Sequence, residues 1–105
     1  MDLLEFVSTL DRWAEEEAEH ARRAREAEDE RAHSIALMKR NMYQTMLKEL
    51  GRDRPERLQA CAEELACRAQ AQRVHGDMDS ADRCDIQRAC VERTRELIKK
   101  LGGRA

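Results

Sequence analysis

The side chains with the most chemical potential in this sequence are four cysteines, Cys61, Cys67, Cys84 and Cys90. Five residues separate the members of each pair. The pairs are placed symmetrically about the expected turn at His75-Gly76, so an antiparallel helical hairpin would set Cys61 level with Cys90 and Cys67 level with Cys84. The pattern superficially resembles the twin-cysteine helical hairpins stapled by two nested disulfides. The resemblance would imply an oxidised pair of bridges, but helix rotation opposes it. A six-residue step turns about 240° around a helix. Cys61 therefore shares a face with Leu58 and Leu65, while Cys67 points away. At most one bridge fits a single seam, within the strict distance limits on disulfides. Structural zinc uses closer pairs, two to four residues apart. Four reduced thiols acting as small apolar residues is the expectation, with a thiol-based redox or metal sensor as the alternative.

Two Glu-x-x-His tetrads follow, Glu17–His20 and Glu30–His33. Carboxylate-bridged di-iron bundles use this spacing because residues i and i+3 share a helix face. Here the tetrads are thirteen residues apart in one helical stretch and face about 220° away from each other. They do not compose one site. Met38, Met42 and Met46 form a stripe that reads as core filling. Arg93, Arg95, Lys99, Lys100 and Arg104 make a basic end that suits a helix C-terminus. No aromatic interleaving or helix-turn-helix pattern accompanies it, so nucleic-acid binding is a weak second alternative. Ser8, Ser34 and Ser80 stand in no nucleophile motif. No cofactor fingerprint, metal set or enzyme signature is present.

The elements that would carry these residues are helices. Charged residues make up 40% of the 105 and aromatics 3%, and the net charge is −2. That balance sets up no field toward nucleic acid or an anionic membrane. The apolar residues are periodic, without strand-like alternation. From Asp2 to Leu50 there is neither Gly nor Pro. The stretch reads as one helix ~73 Å long. Asp2 and Glu5 form a capping box, with Met1 and Phe6 as its staple. Leu3, Val7, Leu10 and Ala14 form a seam that Leu4, Phe6 and Trp13 widen. The seam thins to alanines and then to charge over 22–31. A break near His33-Ser34, with Ser34 as cap, is the alternative to a continuous helix.

Gly51 ends the first helix, and Asp53 and Glu56 cap a second over about 54–75. Gly76 stops that helix. Asp79 and Asp82 cap a third over about 80–101, which Gly102 and Gly103 end. The expected fold is all-α, a single domain over 1–105. One long N-terminal helix packs against an antiparallel two-helix hairpin and dimerises through the long helix. A hairpin of that length reaches back to about residue 29, so 3–27 overhang it. Leu3, Leu4, Phe6, Val7, Leu10 and Trp13 would then be exposed together, and they are the candidate protein interface.

No apolar run approaches a signal core or a membrane span, so a cytoplasmic location is expected. The expected role is a small non-enzymatic interaction module acting sterically, as an adaptor, an inhibitor or anti-activator of a regulatory protein, or a chaperone-like binder. Its expected partner is a second copy of itself, another protein, or both.

Overall fold

The computed structural model describes residues 2–50 and 56–102, and among them every regular element is a helix. The helices are α1 (Leu3–Glu26), α2 (Glu30–Leu50), α3 (Glu56–Val74) and α4 (Met78–Lys100). The chain divides into two compact units, Asp2–Arg52 and Asp53–Ala105, the first built on α1 and α2 and the second on α3 and α4.

The first unit corrects the sequence reading. The stretch from Asp2 to Leu50 is two helices, not one. The chain turns at Ala27-Glu28-Asp29, and α2 runs back along α1. The cross-helix pairs nest about this turn: His33 meets Ala21, and Trp13 meets Tyr43. The overhang expected from a 73 Å rod therefore does not exist, because α2 lies alongside it. The alternative break near His33 also falls too late. Asp29, not Ser34, caps α2, its carboxylate accepting from the Ala32 N–H at 3.1 Å.

Backbone hydrogen bonds explain how a glycine-free stretch ends a helix. Glu28 takes a left-handed conformation, φ 56°. The Glu28 N–H donates to the Arg25 carbonyl at 3.1 Å and the Asp29 N–H to the Ala24 carbonyl at 2.8 Å. That is the paired C-terminal bonding of a Schellman turn, which satisfies carbonyls the helix would otherwise leave open. Glycine usually occupies the left-handed position, since a Cβ there costs roughly 1–2 kcal/mol.

The turn between α3 and α4 uses the same bonds. Gly76, φ 81°, donates to Arg73 O at 3.0 Å, and Asp77 donates to Gln72 O at 2.8 Å. Asp77 caps α4 by accepting from Ser80 N at 3.1 Å. The cap thus sits two residues ahead of the expected Asp79, and α4 begins at Met78. At the other end Gly102 is left-handed, φ 82°, as its place after a C-terminal turn predicts. The expected stop at Gly51, the Asp53 cap, the Met1 staple and Gly103 lie outside the described residues.

The two turns are one device used twice, 48 residues apart, and the sequence carries the same repeat. Leu10-x3-Ala14-Glu15-Glu16-x-Ala18-x2-Ala21-x3-Arg25-x3-Asp29 recurs as Leu58-x3-Ala62-Glu63-Glu64-x-Ala66-x2-Ala69-x3-Arg73-x3-Asp77. Burial follows the repeat. Leu10 and Leu58, Ala14 and Ala62, and Ala21 and Ala69 are all buried on the first helix of each unit. Ala36 and Cys84, Tyr43 and Val91, and Met46 and Thr94 are buried on the second. The alanines are small enough to let paired helices approach closely. The chain is a tandem pair of equivalent helical hairpins.

Each unit has its own core chemistry. The first buries Phe6, Leu10 and Trp13 from α1 with Tyr43 and Met46 from α2. The second buries Leu58, Leu65, Val91 and Ile98 with two thiols. Thr94, fully buried, donates its hydroxyl to the Cys90 carbonyl one turn earlier at 2.9 Å, which satisfies the polar atom inside the helix.

Candidate functional site

The six apolar residues expected to form an interface divide into two sets. Phe6, Leu10 and Trp13 are buried, Trp13 to 8% exposure, and the Trp13 ring meets Tyr43. Leu3, Leu4 and Val7 stay exposed, at 62%, 78% and 43%. The division follows from helix rotation. Phe6, Leu10 and Trp13 step by four and three along one stripe, whereas Leu3, Leu4 and Val7 lie on its flank at the start of the helix. Asp2, Glu5 and Asp11 are also exposed; helix rotation puts Asp11 on the side of Leu4 and Val7, and Asp2 and Glu5 on the opposite side of α1. Asp2 is the N-cap and accepts from the Glu5 N–H at 3.1 Å, which anchors the first turn.

The cysteines are all free thiols. Cys84 and Cys90 are buried, Cys61 is half-buried and Cys67 is exposed. Cys61 and Cys67 thus stand on different faces of α3, as their spacing requires. Cys84 donates its thiol hydrogen to Gln72 Oε1 at 3.3 Å. Beside that bond, the Arg73 guanidinium pairs with the Asp85 carboxylate across the hairpin. Burial, with the negative charge of Glu64 nearby, pushes the Cys61 thiol above its ordinary range. A raised thiol is a weaker nucleophile at neutral pH because less of it is thiolate.

The Glu-x-x-His tetrads do separate things. His20 Nδ1 lies 3.4 Å from Glu17 Oε2 within one turn of α1. His33 instead reaches across the hairpin, its Nδ1 lying 2.9 Å from the Ala21 carbonyl oxygen. A carbonyl only accepts, so Nδ1 carries the hydrogen in this contact. His33 also lines an open depression of about 710 Å³ at the α1–α2 turn, with Arg25, Glu28, Asp29 and Glu30. Among the described residues, no three His, Cys, Asp or Glu side chains converge as a metal site would require.

Elsewhere on α1, Glu19 accepts from Arg22 and from Arg23, the latter at 3.2 Å. The Arg22 hydrogen bond takes the Glu19 carboxyl down to about 2. Arg22 also donates to Glu26 at 2.6 Å, and its guanidinium is raised further above its ordinary range, Glu19 being the main cause. These are solvated pairs on one helix face, worth little to stability individually. Met46 is buried while Met38 and Met42 are half-buried, so the methionine stripe runs from core to surface. In the basic end of α4, Arg95 lies 3.2 Å from Glu92 and Lys99 lies 3.3 Å from Glu96. Arg104 lies outside the described residues. No helix among the described residues is long and apolar enough to cross a membrane.

Compared with protein-family models, curated proteins and solved structures, the chain matches none.

Proposed function

We propose that this chain is a small non-enzymatic module that binds another protein, or a second copy of itself, and acts by occupying a surface. An adaptor, an inhibitor or anti-activator of a regulatory protein, and a chaperone-like binder are the roles such a module serves. The observation that carries this reading is the exposure of Leu3, Leu4 and Val7 on a helix whose inward face is already filled by Phe6, Leu10 and Trp13. Nothing within the α1–α2 core requires large apolar groups on that flank. Contiguous apolar surface that packing does not require marks interaction sites. The first two turns of α1 are also capped and charge-anchored, so the surface is presented on a rigid element.

The test compares wild type with Leu4→Glu/Val7→Glu. Both are run as full-length bait in source-cell extract and, separately, in sedimentation over a hundredfold concentration range. The reading expects a co-purifying protein or a concentration-dependent oligomer that the double variant loses while its circular dichroism stays unchanged. A monomeric wild type that captures nothing the variant fails to capture overturns it.

A further inference from the structure

The two hairpins share a turn geometry but not the residue at its left-handed position. Gly76 holds that position between α3 and α4, with φ 81°, and Glu28 holds it between α1 and α2, with φ 56°. Glycine enters the left-handed region without strain and weakens a helix interior. Glutamate does the reverse: its Cβ opposes the turn, and it is a good helix former. Ala27 and Asp29 are not helix breakers, and neither glycine nor proline occurs from Asp2 to Leu50. The α1–α2 turn is therefore held against the preference of its own central residue. What holds it is the pair of C-terminal bonds from Glu28 and Asp29 and the packing of α2 on α1.

A continuous helix through this turn would keep one buried face. At about 100° per residue, the buried residues of α1 and α2, from Phe6 and Thr9 to Tyr43 and Met46, fall within one half of the helix circumference. Alone, such a helix would leave that face in water. Two copies set antiparallel would cover it. The contacts of the hairpin, Trp13 with Tyr43 and Ala21 with His33, nest about residues 27–28. A twofold axis beside Glu28 would thus lay α2 of each chain on α1 of the other and remake those contacts between chains. Exchanging an identical element in this way requires no new interface, and a short strained hinge favours it. The exchange turns two left-handed glutamates into two helical ones. Charge opposes it, because the two Glu28 side chains meet near the axis.

We propose that the first hairpin exchanges α2 with a second copy of this chain, its turn extending into continuous helix, to form an antiparallel dimer in equilibrium with the hairpin monomer. The second hairpin, turned at Gly76, stays closed. Leu3, Leu4 and Val7 take no part, so the exchange goes beyond the interaction-module reading and does not depend on it.

The test begins by unfolding full-length protein in urea, refolding it over a hundredfold range of concentration and measuring the dimer fraction by sedimentation. The dimer is expected to rise with concentration at constant helix content. Trp13 and Tyr43 are the only residues of their types, so they mark the exchange. In a dimer refolded from mixed labelled and unlabelled chains, isotope-filtered NOEs are expected between Trp13 of one chain and Tyr43 of the other. Glu28→Gly should weaken the dimer at least a hundredfold, because each dimer contains the position twice. Glu28→Gln keeps the strained Cβ and removes the charge, so it should strengthen the dimer. Leu4→Glu/Val7→Glu should leave it unchanged. Wild type that stays monomeric throughout, Trp13–Tyr43 NOEs confined to single chains, or a dimer indifferent to Glu28→Gly overturns the proposal. A dimer that lacks exchanged contacts and is lost in Leu4→Glu/Val7→Glu also overturns it, while the interaction-module reading stands.

Discussion

Trp13 and Tyr43 lie with ring centroids 5.5 Å apart and planes tilted by 56°, one on α1 and one on α2. Tilted pairs at this separation are favourable because the edge of one ring meets the negative face of the other. The contact ties two helices of one hairpin, so the tryptophan reports folding of that hairpin. Its emission should be that of a sequestered indole and should not change on dilution. Trp13→Ala should destabilise the first hairpin by about 3–5 kcal/mol, the usual range for deleting a buried large aromatic. Tyr43→Phe keeps the ring pair and should cost far less. Urea titrations followed by circular dichroism measure both. Water-exposed emission from dilute folded protein would contradict the contact.

The same two residues show where the sequence was readable and where it was not. Helical spacing placed Trp13 on an apolar stripe, and glycines announced the ends at Gly76 and Gly102. The first turn was hidden because Glu28 stands where its counterpart 48 residues later is Gly76. Glutamate in a left-handed conformation leaves no mark in composition or periodicity. The signal that would have found the turn is the repeat itself: Arg25 and Asp29 align with Arg73 and Asp77, which bracket a glycine. With the turn unread, Leu3 through Trp13 looked like one exposed patch. Folding α2 back divides that patch, and only Leu3, Leu4 and Val7 remain outside. The rotation between Cys61 and Cys67 was legible from spacing alone, because both lie on one unbroken helix.

Exchanging the two turn residues should move stability in opposite directions. Glu28→Gly removes the Cβ from a left-handed position, a gain partly offset by glycine's greater freedom in the unfolded chain. The expected net is a stabilisation of about 0.5–1 kcal/mol. Gly76→Ala introduces the strain instead, at a cost of about 1 kcal/mol, although no neighbouring atom lies within 4 Å of the new Cβ. Urea midpoints of the two variants against wild type decide the matter. A destabilised Glu28→Gly would mean that the glutamate side chain contributes more than its backbone costs.

Thiol labelling should follow burial. Cys67, exposed on α3, is expected to react first with iodoacetamide at neutral pH. Cys61 should follow more slowly, because it is half-buried and its thiolate fraction is reduced. Cys84 and Cys90 should be modified only when the second hairpin opens, so their rates should rise with urea while that of Cys67 barely changes. Peptide mass spectrometry over a time course resolves all four sites. Equal early labelling of Cys84 and Cys67 would rule out the packed arrangement of α4.

Acid should release the cap of α4 before it melts the helix. The Asp77 carboxyl is held below its ordinary 3.8 by hydrogen bonds from the side chain and backbone N–H of Ser80. The folded state therefore favours the ionised form, and the unfolded chain takes up the proton first. The cap's contribution is complete above about pH 4 and is lost as pH falls through the lower folded value. Glu19 follows the same sign, but it sits on an exposed helix face, so salt should suppress its part. Asp77→Asn keeps an acceptor for Ser80 N–H and removes the titration. Thermal midpoints measured from pH 6 to pH 2 in 0.5 M salt should fall further for wild type than for Asp77→Asn. The two curves should converge near the acid end. Parallel curves across the whole range would show that the Asp77 charge does not contribute to folding.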